Sequence, residues 1–187
     1  MHEYLNLPCR DDDGNFNFVV EAPRGSVVKW KYDPGRGAFV FQRSLLLGMA
    51  YPYDWGFIPS TRAPDGDPID AMLLFEAPSW PGVVIPAKAI GIVCMTQKKP
   101  ASKRERNDRI MMLPTSDPRY RNVKELPKRV RQELEQFFVT TSEMTEKKVT
   151  IEGWKGPEAA DKAIDEAAQQ YAHRSPDEQT QLLVDRF

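Results

Sequence analysis

The sequence is poor in cysteine and histidine, carries almost no net charge and has no long apolar run. Its two cysteines, Cys9 and Cys94, are too few and too far apart for a disulfide framework. With only His2 and His173 present, no histidine-based interface or pH switch is expected near the first helix. Lys plus Arg number 26 against 27 Asp plus Glu. That balance gives no global attraction to nucleic acid or to an anionic membrane, so neither is expected as a partner. The most apolar stretch, 83–95, is broken by Pro86 and Lys88 and is too short to span a bilayer. The opening Met1-His2-Glu3-Tyr4 has neither the basic nor the apolar region of a secretory signal. The expectation is a cytoplasmic protein without a membrane anchor. No internal repeat or low-complexity segment interrupts it.

What is present suffices for one well-cored domain. Of 187 residues, 41% are hydrophobic, too many for a disordered chain and enough for a single unit over 1–187. Its core is expected over about 15–173, with 174–187 as a tail. Short β-prone runs at 17–22, 27–33 and 38–43 are separated by Pro-Arg-Gly-Ser and Asp-Pro-Gly-Arg-Gly turns. Further strands are predicted at 71–76, 83–96, 109–113 and 148–154. Many short strands with turn signals between them favour a barrel or sandwich over a parallel sheet. Leu126, Val130, Leu134, Phe137 and Phe138 recur at helical spacing, predicting a helix over 125–138. A second helix opens at Gly156-Pro157, with Ala160, Ile164, Ala167 and Tyr171 on its buried face.

The densest chemical signal is Asp65-Gly66-Asp67-Pro68-Ile69-Asp70, three carboxylates within six residues. Such carboxylates repel one another unless cations or hydrogen bonds compensate, and clustered hard oxygens suit Mg²⁺. Asp, Gly and Pro are also ordinary turn formers, so the composition alone leaves a surface turn equally open. A calcium loop fails, because Asp70 occupies the required glycine position and Ile69 sits where an oxygen ligand belongs. Lys29 and Lys31 alternate with Trp30 and Tyr32, which is also the pattern of a half-solvated edge strand.

Around the acidic turn lie Glu21, Lys29 and Arg43 upstream, then Tyr51-Pro52-Tyr53-Asp54-Trp55-Gly56-Phe57-Ile58-Pro59, and downstream Val149-Thr150-Ile151-Glu152-Gly153-Trp154. In this order the chain resembles the family I soluble inorganic pyrophosphatases, whose hallmarks include a D-G-D-P-x-D turn and a preceding Y-P-x-x-Y-G-Y/F-I segment. The resemblance spans roughly 18–171. It implies an α+β fold, an OB-like five-stranded β-barrel with flanking helices, and Mg²⁺-dependent hydrolysis of pyrophosphate to orthophosphate. By the same resemblance Asp65 and Asp70 would bind Mg²⁺, Glu21 would hold a further Mg²⁺, and Asp67 would contribute to the metal site and help activate water. Lys29, Arg43 and Tyr51 would serve substrate binding and catalysis, and Arg109 would contact phosphate. Relatives assemble as homo-oligomers, so self-association is expected.

Several positions depart from the family pattern. Lys31 stands where a second acidic residue is usual, and Trp55 replaces a tyrosine. After Met95-Thr96 the chain reads Gln97-Lys98-Lys99-Pro100, and Asn107 takes the place of a metal aspartate with Arg109 in that of a lysine. Asp108 or Glu105 would substitute only if the loop folded back. A Tyr-Lys pair after the first helix becomes Thr141-Ser142. The loop itself is basic, with Lys98, Lys99, Lys103, Arg104, Arg106 and Arg109, and is either a solvated loop or a source of cations replacing missing metal charge. These departures leave two alternatives to a working pyrophosphatase. One is a paralogue with altered phosphohydrolase specificity, and the other a non-catalytic module binding an anion or RNA.

Overall fold

The structure is a computed structural model that describes residues 3–98, 103–143, 145 and 147–173. The expected tail, like Lys99, Pro100 and Glu146, lies outside the described residues. In chain order the elements are β1 (Phe16–Ala22), β2 (Val28–Asp33), β3 (Ala38–Ser44), β4 (Asp54–Phe57), β5 (Asp70–Leu73) and β6 (Val84–Lys98). They continue with β7 (Glu105–Arg106), β8 (Arg109–Pro114), α1 (Lys128–Glu143), β9 (Lys148–Lys155) and α2 (Pro157–Ala172).

Five strands close a ring. β1 pairs with β4, β4 with β5, β5 with β8, β8 with β6, and β6 returns to β1. This is the expected α+β barrel architecture. The one parallel pairing in the ring is β5 with β8, which places Ala71 beside Ile110. The 15-residue β6 is long enough to serve several partners, pairing β1 through its first residues and β9 through its last. β2 and β3 form a separate hairpin.

Side-chain alternation along β8 divides the core. Met111 packs with Trp55, Met95, Leu134, Phe137 and Phe138 on the α1 side, whereas Ile110 and Met112 pack with Phe18, Ile58, Ile164 and Ala167 on the α2 side. α1 covers β9 and α2 covers β6.

The strands predicted at 17–22, 27–33, 38–43, 83–96, 109–113 and 148–154 each coincide with an observed strand within two residues at either end. The run at 71–76 is shorter, ending at Leu73. β4 and β7 are additional. α1 begins at Lys128, not at 125, because Leu126 precedes Pro127 and is held extended at ψ 135°. Val123–Glu125 forms a 3-10 turn instead, capped by the Asn122 side chain accepting from Lys124 N. On α2, Ala160, Ile164 and Ala167 are buried as expected, but Tyr171 is only half-buried and its hydroxyl bonds the Asn6 side chain.

β4 is four residues long and wholly buried, and its glycine is what allows β1 to approach. A Cβ on Gly56 would lie 1.9 Å from the Val19 carbonyl oxygen. Gly56→Ala is therefore expected to cost about 3 kcal/mol or more, the upper end of overpacking penalties, read as a lowered midpoint in urea unfolding. A change below about 1 kcal/mol would contradict this close approach.

Candidate active site

The acidic turn leads from the ring into β5. Gly66 takes φ +87°, where a Cβ would be strained, and its N–H donates to Ala63 O at 2.9 Å. Ala63 N donates to Asp67 O at 2.7 Å, and Asp67 N reaches Asp65 Oδ1 at 3.3 Å. The turn thus holds Asp65, Asp67 and Asp70 at one rim. Opposite stands the β2–β3 hairpin. It is tied to the ring by Glu21, which sits at a bulge in β1 where the register shifts between Val20 and Ala22. Glu21 accepts from Tyr32 N at 2.9 Å.

Between turn and hairpin lies a cavity of about 160 Å³ lined by Glu21, Lys29, Lys31, Asp65, Asp67, Asp70, Asn107, Arg109 and Lys147, with Gln42 at its edge. A second cavity of about 350 Å³ adjoins it, sharing Lys29, Gln42, Arg109 and Lys147. Its wall adds Arg43, Tyr51, Trp55, Phe137, Phe138, Thr141 and Ser142. All the site residues expected from sequence therefore face one or the other cavity. Lys147 and Gln42 were not anticipated. Lys147 follows α1 through a turn in which Lys147 N donates to Ser142 O at 3.3 Å, and no spacing in the sequence announces that return.

The remaining loop residues divide. Asn107 and Arg109 enter the site and are buried. Asp108 lines neither cavity: its carboxylate accepts from Met95 N at 2.9 Å and pairs with Arg106, facing an adjoining cleft of about 860 Å³ beside α2 that shares Asp65, Pro68, Asp70 and Asn107 with the smaller cavity. Glu105 is exposed on β7, and Arg104 donates to Thr96 and Thr150 hydroxyls. Among the described loop residues, then, the idea of a basic loop folding into the site holds for Arg109 alone. The other cations come from β2, from Arg43 on β3 and from the turn after α1. The Thr141 and Ser142 hydroxyls bond back to the Phe137 and Phe138 carbonyls at 2.8 Å.

Charge in the smaller cavity is formally balanced, with four acidic and four basic side chains on its wall. Lys31 Nζ lies 3.0 Å from Asp67 Oδ2, and Arg109 Nη1 lies 2.9 Å from Asp70 Oδ2. Arg109 also rests over the Trp55 ring, 5.2 Å from its centroid. Burial pushes the Glu21 carboxyl up to about 7, against the Tyr32 N–H and Lys29. Burial lowers Lys29, opposed by Asp70 and Glu21. Asp65 is raised by burial and then by the charges of Asp70 and Asp67. Tyr51 is pushed above its usual range by burial, so its phenol stays protonated and able to donate.

The profile of the inorganic pyrophosphatase family matches residues 18–172. The chain belongs to the family I inorganic pyrophosphatases. It is 34% identical over 168 residues to the Synechocystis inorganic pyrophosphatase, covering 88% of this chain and 96% of that one. Against the Halalkalibacterium halodurans inorganic pyrophosphatase it is 37% identical, covering 81% and 92%. The crystal structure of the Thermus thermophilus inorganic pyrophosphatase superposes with a TM-score of 0.83 at 31% identity, covering 91% and 99%. Family I inorganic pyrophosphatases are metalloenzymes. Among the described residues of this member, no three carboxylates, histidines or cysteines converge on one point where protein atoms alone could hold a metal. Burial and then the charges of Asp70 and Asp67 nonetheless raise the cost of ionising Asp65 in the turn, a cost that a divalent cation relieves. Mg²⁺ is commonly held by one or two carboxylates with waters and substrate phosphates completing its shell, and the donor set here fits that mode. No described helix is long and apolar enough to cross a membrane.

Glu21 gives a pH test. The folded protein holds its proton to higher pH than an unfolded chain, so this group's contribution to stability falls as pH rises from 4.5 to about 7. Glu21→Gln keeps the oxygen that accepts from Tyr32 N and removes the charge. In chelator, the variant should match wild type below pH 4.5 and exceed it above pH 7. The gain is on the order of 3 kcal/mol in urea unfolding. A gap that does not change with pH would contradict the assignment.

Proposed function

We propose that the chain hydrolyses inorganic pyrophosphate to two orthophosphates in a Mg²⁺-dependent reaction, working in the two joined cavities. The observation that carries this reading is the gathering of Asp65, Asp67, Asp70 and Glu21 against Lys29, Arg109 and Lys147 in one pocket on the family's fold. Pyrophosphate is a compact polyanion, and water attacks it only when its charge is compensated. Lys29, Arg109 and Lys147, with Arg43 in the adjoining space, line these cavities and would grip the phosphoryl oxygens where charge develops. Asp65 and Asp70, with Glu21 nearby, would hold Mg²⁺. When bound, the metal neutralises phosphate charge and acidifies a water. Asp67 would accept the attacking water's proton as the new O–P bond forms and the bridging P–O bond breaks, the bridging oxygen leaving with the second orthophosphate. Tyr51 donates its phenol to a phosphate oxygen.

The 350 Å³ cavity, with Thr141 and Ser142 and an aromatic wall of Trp55, Phe137 and Phe138, favours one secondary reading. It has room for phosphoanhydrides larger than pyrophosphate, so nucleotides belong in the same screen.

For the chain as a whole we infer a single domain working in the cytoplasm and assembled as a homo-oligomer. Val27, Phe41, Leu46 and Leu47 support self-association. They are exposed on and beside the β2–β3 hairpin, where Leu45 N donates to Val27 O at 2.8 Å.

Orthophosphate release from pyrophosphate should require Mg²⁺ and fall by about 10² to 10⁴-fold in Asp67→Asn, the usual worth of a general base. Arg43→Ala should lower turnover by about 10² to 10³-fold. Release that persists in chelator, or equal rates in Asp67→Asn and wild type, would contradict the mechanism.

A further inference from the structure

Two of the carboxylates that would attract a divalent cation are already neutralised by side chains of this chain. Lys31 Nζ sits 3.0 Å from Asp67 Oδ2, and Arg109 Nη1 sits 2.9 Å from Asp70 Oδ2. The two cations are held very differently. Arg109 is the first residue of β8, and the parallel register that sets Ala71 beside Ile110 fixes it beside Asp70. Its Nη1 also donates to the carbonyls of Asn107 at 3.0 Å and Asp108 at 2.9 Å, and its guanidinium lies over Trp55. Arg109 is an anchored charge.

Lys31 is not anchored in this way. It projects from the hairpin on a flexible four-carbon stem, and its side chain keeps 26% of its surface open. Asp67, its partner, is 38% open, so the pair sits at the solvent edge of the cavity. A lysine so placed has a choice once a polyanion enters. At equal distance and dielectric, attraction scales with the product of charges, so a phosphate bearing two or more charges outcompetes one carboxylate.

We propose that Lys31 is a movable counter-cation that closes the acidic turn to Mg²⁺ until a phosphoanhydride draws it off Asp67, so that anion and Mg²⁺ bind with positive coupling. Lys31 is then a positioning residue. It transfers its charge from Asp67 to the substrate and leaves the turn one negative charge richer when the metal is needed. The inference rests on the pyrophosphatase reading for its ligand, and its test reads binding, not turnover.

The experiment is calorimetric titration of Mg²⁺ into wild type and Lys31→Gln, with and without saturating methylenediphosphonate, a non-hydrolysable analogue, corrected for Mg²⁺ bound by the analogue in solution. In wild type, the analogue should raise Mg²⁺ affinity at least about fivefold, the lower end of measured coupling between sites. Without the analogue, Lys31→Gln should bind Mg²⁺ at least about fivefold more tightly than wild type and show a smaller rise when it is added. Lys31→Arg, which keeps the charge, should behave as wild type, a distinction that a merely structural role does not make. Equal anion-free affinities in Lys31→Gln and wild type overturn the proposal. Should Lys31→Gln fail to fold, a wild-type Mg²⁺ affinity indifferent to the analogue overturns it as well. Coupling without pyrophosphate turnover removes the hydrolytic reading and keeps the gate; turnover without coupling does the reverse.

Discussion

Four carboxylates cannot share one small cavity without counter-charge, and everything around this site follows from where that charge comes from. Here the protein itself supplies it, through Lys29, Lys31, Arg109 and Lys147. The supply depends on three independent pieces of the fold. The hairpin brings Lys29 and Lys31, the parallel register of β5 and β8 brings Arg109 against Asp70, and the turn after α1 returns Lys147. The bulge at Glu21 locks the hairpin to the ring through Tyr32 N, so cations and carboxylates keep a common frame.

That balance bears on the departures from the family pattern that the resemblance implies. Asn107 contributes no charge where the family resemblance implies an aspartate, and Lys31 carries a positive charge where it implies an acid, yet the pocket's formal charge still cancels. An anion-binding pocket survives such exchanges, whereas its appetite for divalent cations falls, because each internal ion pair must be broken or bypassed before a metal can compete. Anion and metal then become mutually dependent ligands.

The ring of strands was readable because proline and glycine turns punctuate it, and α2 because Gly156-Pro157 opens it. β4 was not, since four buried residues with a central glycine show no alternation, and its glycine is required by the Val19 carbonyl pressing against it. The helical stripe of Val130, Leu134, Phe137 and Phe138 was read correctly but the helix bounds were not: the restriction Pro127 places on Leu126 outweighs periodicity at the start, and α1 continues past 138 to Glu143. Asp65, Asp67, Asp70, Glu21, Lys29, Arg43, Tyr51 and Arg109, which the family resemblance singled out, all line the two cavities. The ion pairs were not legible. Lys31 and Asp67 meet across 36 residues, and no local pattern encodes a contact between a separate hairpin and a distant turn. Lys147 was missed for the same reason.

The most direct test of the charge-balanced site is a pair of crystal structures with Mn²⁺ present, one without anion and one with methylenediphosphonate. The account predicts Lys31 on Asp67 with little Mn²⁺ at the turn in the first. In the second it predicts Lys31 on the diphosphonate with Mn²⁺ between Asp65 and Asp70. Mn²⁺ fully bound at the turn in the anion-free crystal, with Lys31 turned to solvent, would contradict it.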